Sequence, residues 1–342
     1  KGKVLLISGC YFGQVVGGTE YQQYLIGKTL KNLGYKVYYL FIDNGDSIEN
    51  AYNFNLVPIK KRKVTRKIFG KYFFLDIFEV ESHLRKINPD LIIARSGFAY
   101  VGIAAHYAQK NSCKMIWHIA SENDVKPFQF EWNRSILFDY INQKFFEYGI
   151  RKADYIIGQA KYQNELLKEE YGRECDLLIP NFHPEPKHQI REENPIKVLW
   201  VSNFKPLKQP EIFIKLAGEF KDYENVRFIM VGRPGQKGWQ AKLENKIDRL
   251  NNLEYLGEKP VNGVNKILCE SHIFVNTSKY EGLPNTFVQA WMREVPVVSL
   301  NVDPDDILVS EGIGFHSGNL ETMIKDVKNL ISDSGLREEM GE

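Results

Sequence analysis

Residues 280–298 read YEGLPNTFVQAWMREVPVV and follow an apolar, strand-like run from His272 to Thr277. The four residues Glu281-Gly282-Leu283-Pro284 suit neither a regular helix nor a strand. From Asn285 the pattern turns helical, because Phe287, Val288, Trp291 and Met292 recur at three- and four-residue spacing and Pro284 fits a first helical position that needs no amide donor. A helix is therefore expected to start just after a carboxylate and a glycine. Its unpaired N–H groups and positive dipole end suit a phosphate, and Gly282 lets the backbone come close to a ligand. Glu281 and Gln289 lie about 12 Å apart along such a helix, too far for one small group. Together they suit the two hydroxyl-bearing ends of an elongated ligand with phosphates between them, which is the layout of a sugar nucleotide. The plain alternative is a buried helix after a turn in an ordinary α/β domain.

The same stretch, EGLPNTFVQAWMREVPVV, resembles the signature of family-four retaining glycosyltransferases of the GT-B fold. In that family a Glu, a Gly-aromatic-or-Leu-Pro turn and a second Glu eight residues later hold the donor sugar and the ribose. The resemblance thus implies donor contacts for Glu281, Gly282, Leu283, Pro284 and Asn285. Gln289 replaces the second Glu: it still offers hydrogen bonds to ribose hydroxyls, but without charge-assisted strength. Glu294 stands where a Gly is usual.

With 342 residues, 43% hydrophobic content and net charge +2, the chain suits two soluble domains of ~150–200 residues, each with a full core. No apolar run approaches the ~20 residues of a membrane helix, no signal-peptide pattern opens the chain, and Lys1 in place of a Met reads as a trimmed start. Cys10, Cys113, Cys175 and Cys269 stand far apart with no C-x-x-C. They suggest neither a zinc site nor a disulfide framework, and a cytoplasmic, reducing setting fits. The small net charge gives no case for nucleic acid as a partner.

Residues 3–8 read as a buried parallel strand, followed by a glycine-rich turn and a helix from Thr19 to Leu33 closed by Gly34. Gly17 and Gly18 open that helix to a ligand, with Thr19 as its expected cap. A glycine-rich turn is equally often structural; in the resembled family a G-G-x-E loop here faces the donor phosphates, and Gly17-Gly18-Thr19-Glu20 matches it. After a strand at 37–42 comes KKRKVTRKIFGKYFF, residues 60–74, whose cations interleave with Phe69, Tyr72, Phe73 and Phe74. It reads either as a peripheral contact with an anionic bilayer or as a solvated loop leading into a helix.

Further short strands near 91–94, 114–119, 155–158 and 177–179 alternate with helices, which means a doubly wound parallel sheet with ligands beyond the carboxyl ends of its strands. His118 stands at such an end; Glu122 and Asp124 read as loop carboxylates. The resemblance implies a functional residue after this strand, near the reacting sugar, and so makes His118 a candidate contact for donor sugar or acceptor.

The proline-bearing stretch 183–195 reads as a linker, dividing a 1–182 domain from a 196–342 domain in which strand and helix alternate again. There WVSNFKPLKQP resembles the family's G-R-L-x-x-x-K-G turn, whose cations clamp a diphosphate: Lys208 takes the Lys position, Asn203 replaces the Arg, and Lys205 is near enough to substitute. Arg233 reads as a phosphate or base contact or as a loop cation, and residues 256–260 match the turn that receives the base through backbone groups. The chain stops where the family's crossing helix would follow, so that helix is expected to be truncated.

The resemblance implies two Rossmann-like domains facing each other across a cleft. It implies transfer of a sugar, with retention, from a nucleotide-diphosphate donor to a hydroxyl of a glycan or lipid-linked acceptor. The departing diphosphate takes the acceptor proton, and neither a cofactor nor a metal is called for. The rival readings are a sugar-nucleotide-binding scaffold without turnover and a nucleotide-sugar epimerase of the same fold.

Overall fold

The computed structural model describes residues 1–14, 17–50, 52–60, 74–126, 136–186 and 191–342. The chain divides into two compact units, Lys1–Asn181 and Phe182–Glu342. In the first, seven strands form one parallel sheet: β1 (Lys3–Ile7), β2 (Lys36–Asp43), β3 (Asn55–Lys60), β4 (Leu91–Arg95), β5 (Lys114–His118), β6 (Tyr155–Gly158) and β7 (Leu177–Leu178), in the order β3-β2-β1-β4-β5-β6-β7. The strands are apolar on both faces because helices cover both. Along β1, Leu5 and Ile7 join one core with Ile92, Ala94 and Trp117, while Val4 and Leu6 join another with Tyr39, Phe41 and Ile93. That is the two-residue period of a pleated strand buried on each side.

The helices Ala99–Lys110 and Ile136–Lys152 approach to backbone contact. A Cβ on Gly102 would lie 1.9 Å from the carbonyl oxygen of Phe145, so this crossing requires glycine. Two local expectations shift. The strand β3 was not visible in the pattern, since Pro58 interrupts it; it pairs with β2 alone at the sheet edge, where a missing N–H is tolerated. The first helix spans Gly18–Asn32 with Gly17 as its cap residue, so Thr19 lies inside the first turn and is not the cap. Gly34, at φ +86°, follows that helix as expected.

The second unit repeats the plan with β8 (Ile196–Val201), β9 (Val226–Val231), β10 (Leu253–Tyr255), β11 (Ile273–Asn276), β12 (Val297–Ser299) and β13 (Gly314–His316). Their order is β10-β9-β8-β11-β12-β13, all parallel. Val198 and Trp200 face one core and Leu199 the other. In each sheet the winding reverses beside the first strand, between β1 and β4 and between β8 and β11. Those are the switch points where ligands of doubly wound sheets bind.

The reading of 183–195 as a linker meets a segment held to the second unit at its far end. Arg191 donates to the carbonyls of Cys269, Arg293 and Glu294, and His272 Nε2 lies 2.9 Å from the Glu192 carbonyl oxygen. Helices Leu320–Ser332 and Ser334–Gly341 close the chain, and Leu336 and Met340 pack on the second unit's core. The membrane-contact reading of 60–74 falls almost wholly outside the described residues. Of its ends, Lys60 closes β3, and Phe74 lies against Phe138 and Phe145 at ring distances of 6.4 and 6.0 Å. No helix among the described residues is long and apolar enough to cross a membrane.

Candidate functional site

Three loops meet beyond the carboxyl ends of β8, β11 and β12. The chain leaves β8 and turns through a short 3-10 helix, Pro206–Lys208, after which Gln209 adopts a left-handed conformation at φ 47°. Thr277, directly after β11, holds this turn in place. Its hydroxyl donates to the carbonyls of Lys208 (2.7 Å) and Gln209 (3.1 Å) and accepts the indole N–H of Trp200 at 2.9 Å. The Lys279 amide donates to Leu207 O, and Asn301 from the β12 loop donates to Ser278 O.

This scaffold brings Lys208 Nζ to 2.8 Å from Glu281 Oε2, with the two side chains 20% and 19% exposed. The other carboxylate oxygen of Glu281 accepts from Asn276 Nδ2 at 3.0 Å and Ser278 Oγ at 2.5 Å. Burial alone would raise the Glu281 pKa. The Lys208 charge, with hydrogen bonds from Lys208, Ser278 and Asn276, outweighs it and holds the carboxyl below its usual value. The result is an ionised acid and a cation at the β8–β11 switch point, with the buried Gly282-Leu283-Pro284 turn following.

The next helix runs Asn285–Trp291, with Pro284 one residue before it at ψ 130° and not in the first helical position. Gln289 is buried on it; its side-chain amide donates to Asn265 Oδ1 at 2.7 Å, and its backbone carbonyl accepts from Arg293 Nη1. Asn203 Oδ1 accepts the Arg233 amide at 3.3 Å, while the Arg233 side chain spans both oxygens of Glu258 at 2.9–3.2 Å. Lys205 is exposed just before the 3-10 turn. Where β8 and β9 end, a Cβ on Gly232 would sit 1.7 Å from Ser202 O, so only glycine lets these loops touch.

In the first unit, Gly17 and Gly18 stand at the helix start beside β1. A Cβ on Gly17 would fall 2.2 Å from Glu20 Oε2, so the missing side chain leaves room for that carboxylate. His118 ends β5 and is 5% exposed. Burial, and then the neighbouring Arg95 charge, hold its pKa well below the usual imidazole value. Asp124 is buried and accepts the amides of Gly97, Ala120 and Ser121, which gives it a loop-shaping role. Arg95, Asn265, Asn276, Thr277 and Ser278 escaped sequence reasoning. The run Asn276-Thr277-Ser278, three polar residues that end an apolar strand and follow it, was the available signal.

Residues 182–342 match the family described as Glycosyl transferases group 1. An uncharacterized glycosyltransferase from Methanocaldococcus jannaschii is 25% identical over 262 residues, covering 68% of this chain and 61% of that protein. The chain thus aligns with less than two thirds of that relative's length. Among solved structures, sucrose-phosphate synthase from Thermosynechococcus elongatus has a TM-score of 0.78 at 14% identity, covering 100% of this chain and 92% of that one. HepE from Anabaena, in complex with UDP and glucose, has a TM-score of 0.73 at 15% identity, covering 100% and 93%. Identities this low carry the fold alone. The chain accordingly has the GT-B fold, and its second unit is the part that matches the Glycosyl transferases group 1 model.

Proposed function

We propose that the chain is a retaining glycosyltransferase that moves a sugar from a nucleotide-diphosphate donor to a hydroxyl of a glycan or lipid-linked acceptor, in surface polysaccharide or glycolipid assembly. The observation that carries this reading is the Lys208–Glu281 pair at the switch point of a sheet within the matched domain. On this reading Lys208, with Lys205 near it, stabilises the negative charge that grows on the diphosphate as the glycosidic bond breaks. Glu281 orients the donor through sugar hydroxyls, with Gly282, Leu283, Pro284 and Asn285 shaping its bed. Gln289 meets the ribose, and the 256–260 turn and Arg233 lie toward the base; in the first unit, Gly17 and Gly18 are read as donor-phosphate contacts and His118 as a contact for donor sugar or acceptor. The departing diphosphate accepts the acceptor proton, so no protein carboxylate has to act as nucleophile and no metal is called upon. UDP is the first nucleotide to test, since HepE was solved with it.

A scaffold that binds sugar nucleotides without turnover is the second reading. It is favoured by Asn203 and Gln289, which stand at two family positions and spend hydrogen bonds inside the protein. A panel of nucleotide sugars separates the two. Acceptor-dependent release of nucleotide, with the anomeric configuration kept, supports transfer; tight binding with no release in any combination supports the scaffold.

A further inference from the structure

Arg95 closes β4 and His118 closes β5, and the two are register partners on neighbouring strands. Arg95 is 1% exposed. Its Nη1 lies 2.8 Å from Nδ1 and 3.0 Å from Nε2 of His118, and its Nη2 donates to Asn181 Oδ1 at 2.8 Å. Nε has no hydrogen-bond partner among the described residues. A guanidinium carries five N–H donors and no acceptor, so one of the two ring nitrogens beside Nη1 must present its lone pair to it; a neutral imidazole has one such nitrogen, the other keeping its N–H. An imidazolium has none: protonation would set N–H against N–H and place two cations together out of water.

We propose that Arg95 is a positioning residue that locks His118 as an uncharged imidazole, so that His118 meets its ligand as a neutral hydrogen-bonding group and not as an acid or a cation. This rests on the reading of His118 as a ligand contact. The other charged or titratable groups around the pair do not supply the missing proton acceptor. Asp124 is engaged by three backbone amides, and Glu20 and Tyr39 act on Arg95 from the first helix and β2. Asn181 takes the second guanidinium nitrogen and so fixes the fork against rotation toward solvent.

The test is a titration of the ligand-free protein carrying 15N-labelled histidine, with His118→Asn to assign the resonances. The wild-type His118 ring is expected to stay neutral as the pH is lowered well past ~6.5, where free imidazole side chains protonate. In Arg95→Met the ring should protonate at a higher pH than in the wild type, with burial still holding it below the free imidazole value. Protonation of wild-type His118 near pH ~6.5, or an unchanged titration in Arg95→Met, overturns the proposal. If Arg95→Met does not fold, Arg95→Gln, which removes the charge and keeps a polar side chain, takes its place, and an unchanged His118 titration in that variant overturns the proposal. The readout involves no nucleotide sugar, so failure of the transferase reading and failure of this one are separately visible.

Discussion

Lys208 and Glu281 meet at 2.8 Å although they leave different strands, β8 and β11, and nothing local to either sequence stretch dictates the pairing. Both are largely buried, so the pair is more than a surface contact. Breaking a buried pair from one side costs about 3–5 kcal/mol, because a charge is left behind. At 19% exposure, and with Asn276 and Ser278 still donating to Glu281, Lys208→Met should cost nearer ~2–3 kcal/mol. Transfer should fall by about 10²–10³ in kcat. Chemical denaturation together with a donor-release assay checks both values. Glu281→Ala should abolish transfer while the fold survives, as judged by circular dichroism; full activity in that variant would remove the assignment.

The hydroxyl of Thr277 satisfies three groups at once. Thr277→Val keeps the shape but leaves the Trp200 indole N–H without its acceptor and the Lys208 and Gln209 carbonyls without their donor. A loss of about 1–3 kcal/mol is expected from the unsatisfied buried groups. Thr277→Ser should recover most of it, which urea titrations of the two variants will show.

Acid should weaken the second unit through two buried histidines. Burial first, and neighbouring cations after it, bring His183 and His272 down to about 4. Between the ordinary imidazole pKa of 6.5 and about 4, the unfolded chain binds protons that the folded chain refuses. Stability is therefore full above the upper value and is lost as the pH falls through that window. Glu281 acts in the same sense lower down: its carboxyl is held below its usual value, so its contribution persists above the usual carboxylate range and disappears on further acidification. Unfolding midpoints measured from pH 7 downward should decline, and a His183→Asn/His272→Asn double variant should flatten that slope even if it starts lower.

Gln289→Glu tests the departure from the family pattern. Asn265 can turn its amide to donate to a carboxylate, but position 289 is buried, so the new charge should cost the fold about 1–3 kcal/mol. Donor affinity, read by calorimetry with a nucleotide sugar, should rise as a charged hydrogen bond to a ribose hydroxyl becomes available.

Much of the architecture was legible because buried parallel strands and their covering helices repeat a simple alternation. Val4 to Ile7 and Val198 to Val201 are apolar on both faces, and only a sheet covered on two sides explains that. Edge elements were harder: β3 carries a proline and a lysine end, and composition hid it. The pairings at the site were not legible, because strand order sets them. Arg95 touches His118, Gln289 touches Asn265 and Arg233 touches Glu258 only once β4 lies beside β5 and the loops converge. Sequence spacing finds a residue's element; it does not find its partner across the sheet.

The threonine clasp under the 3-10 turn has one more implication. With its carbonyl fastened to Thr277 at the end of β11, the peptide bearing Lys208 is tethered, and the ammonium stands on its own four-carbon stem. Exchange of one anionic partner for another at this position is then a swing of a single side chain around a fixed root, and the surrounding backbone need not rearrange.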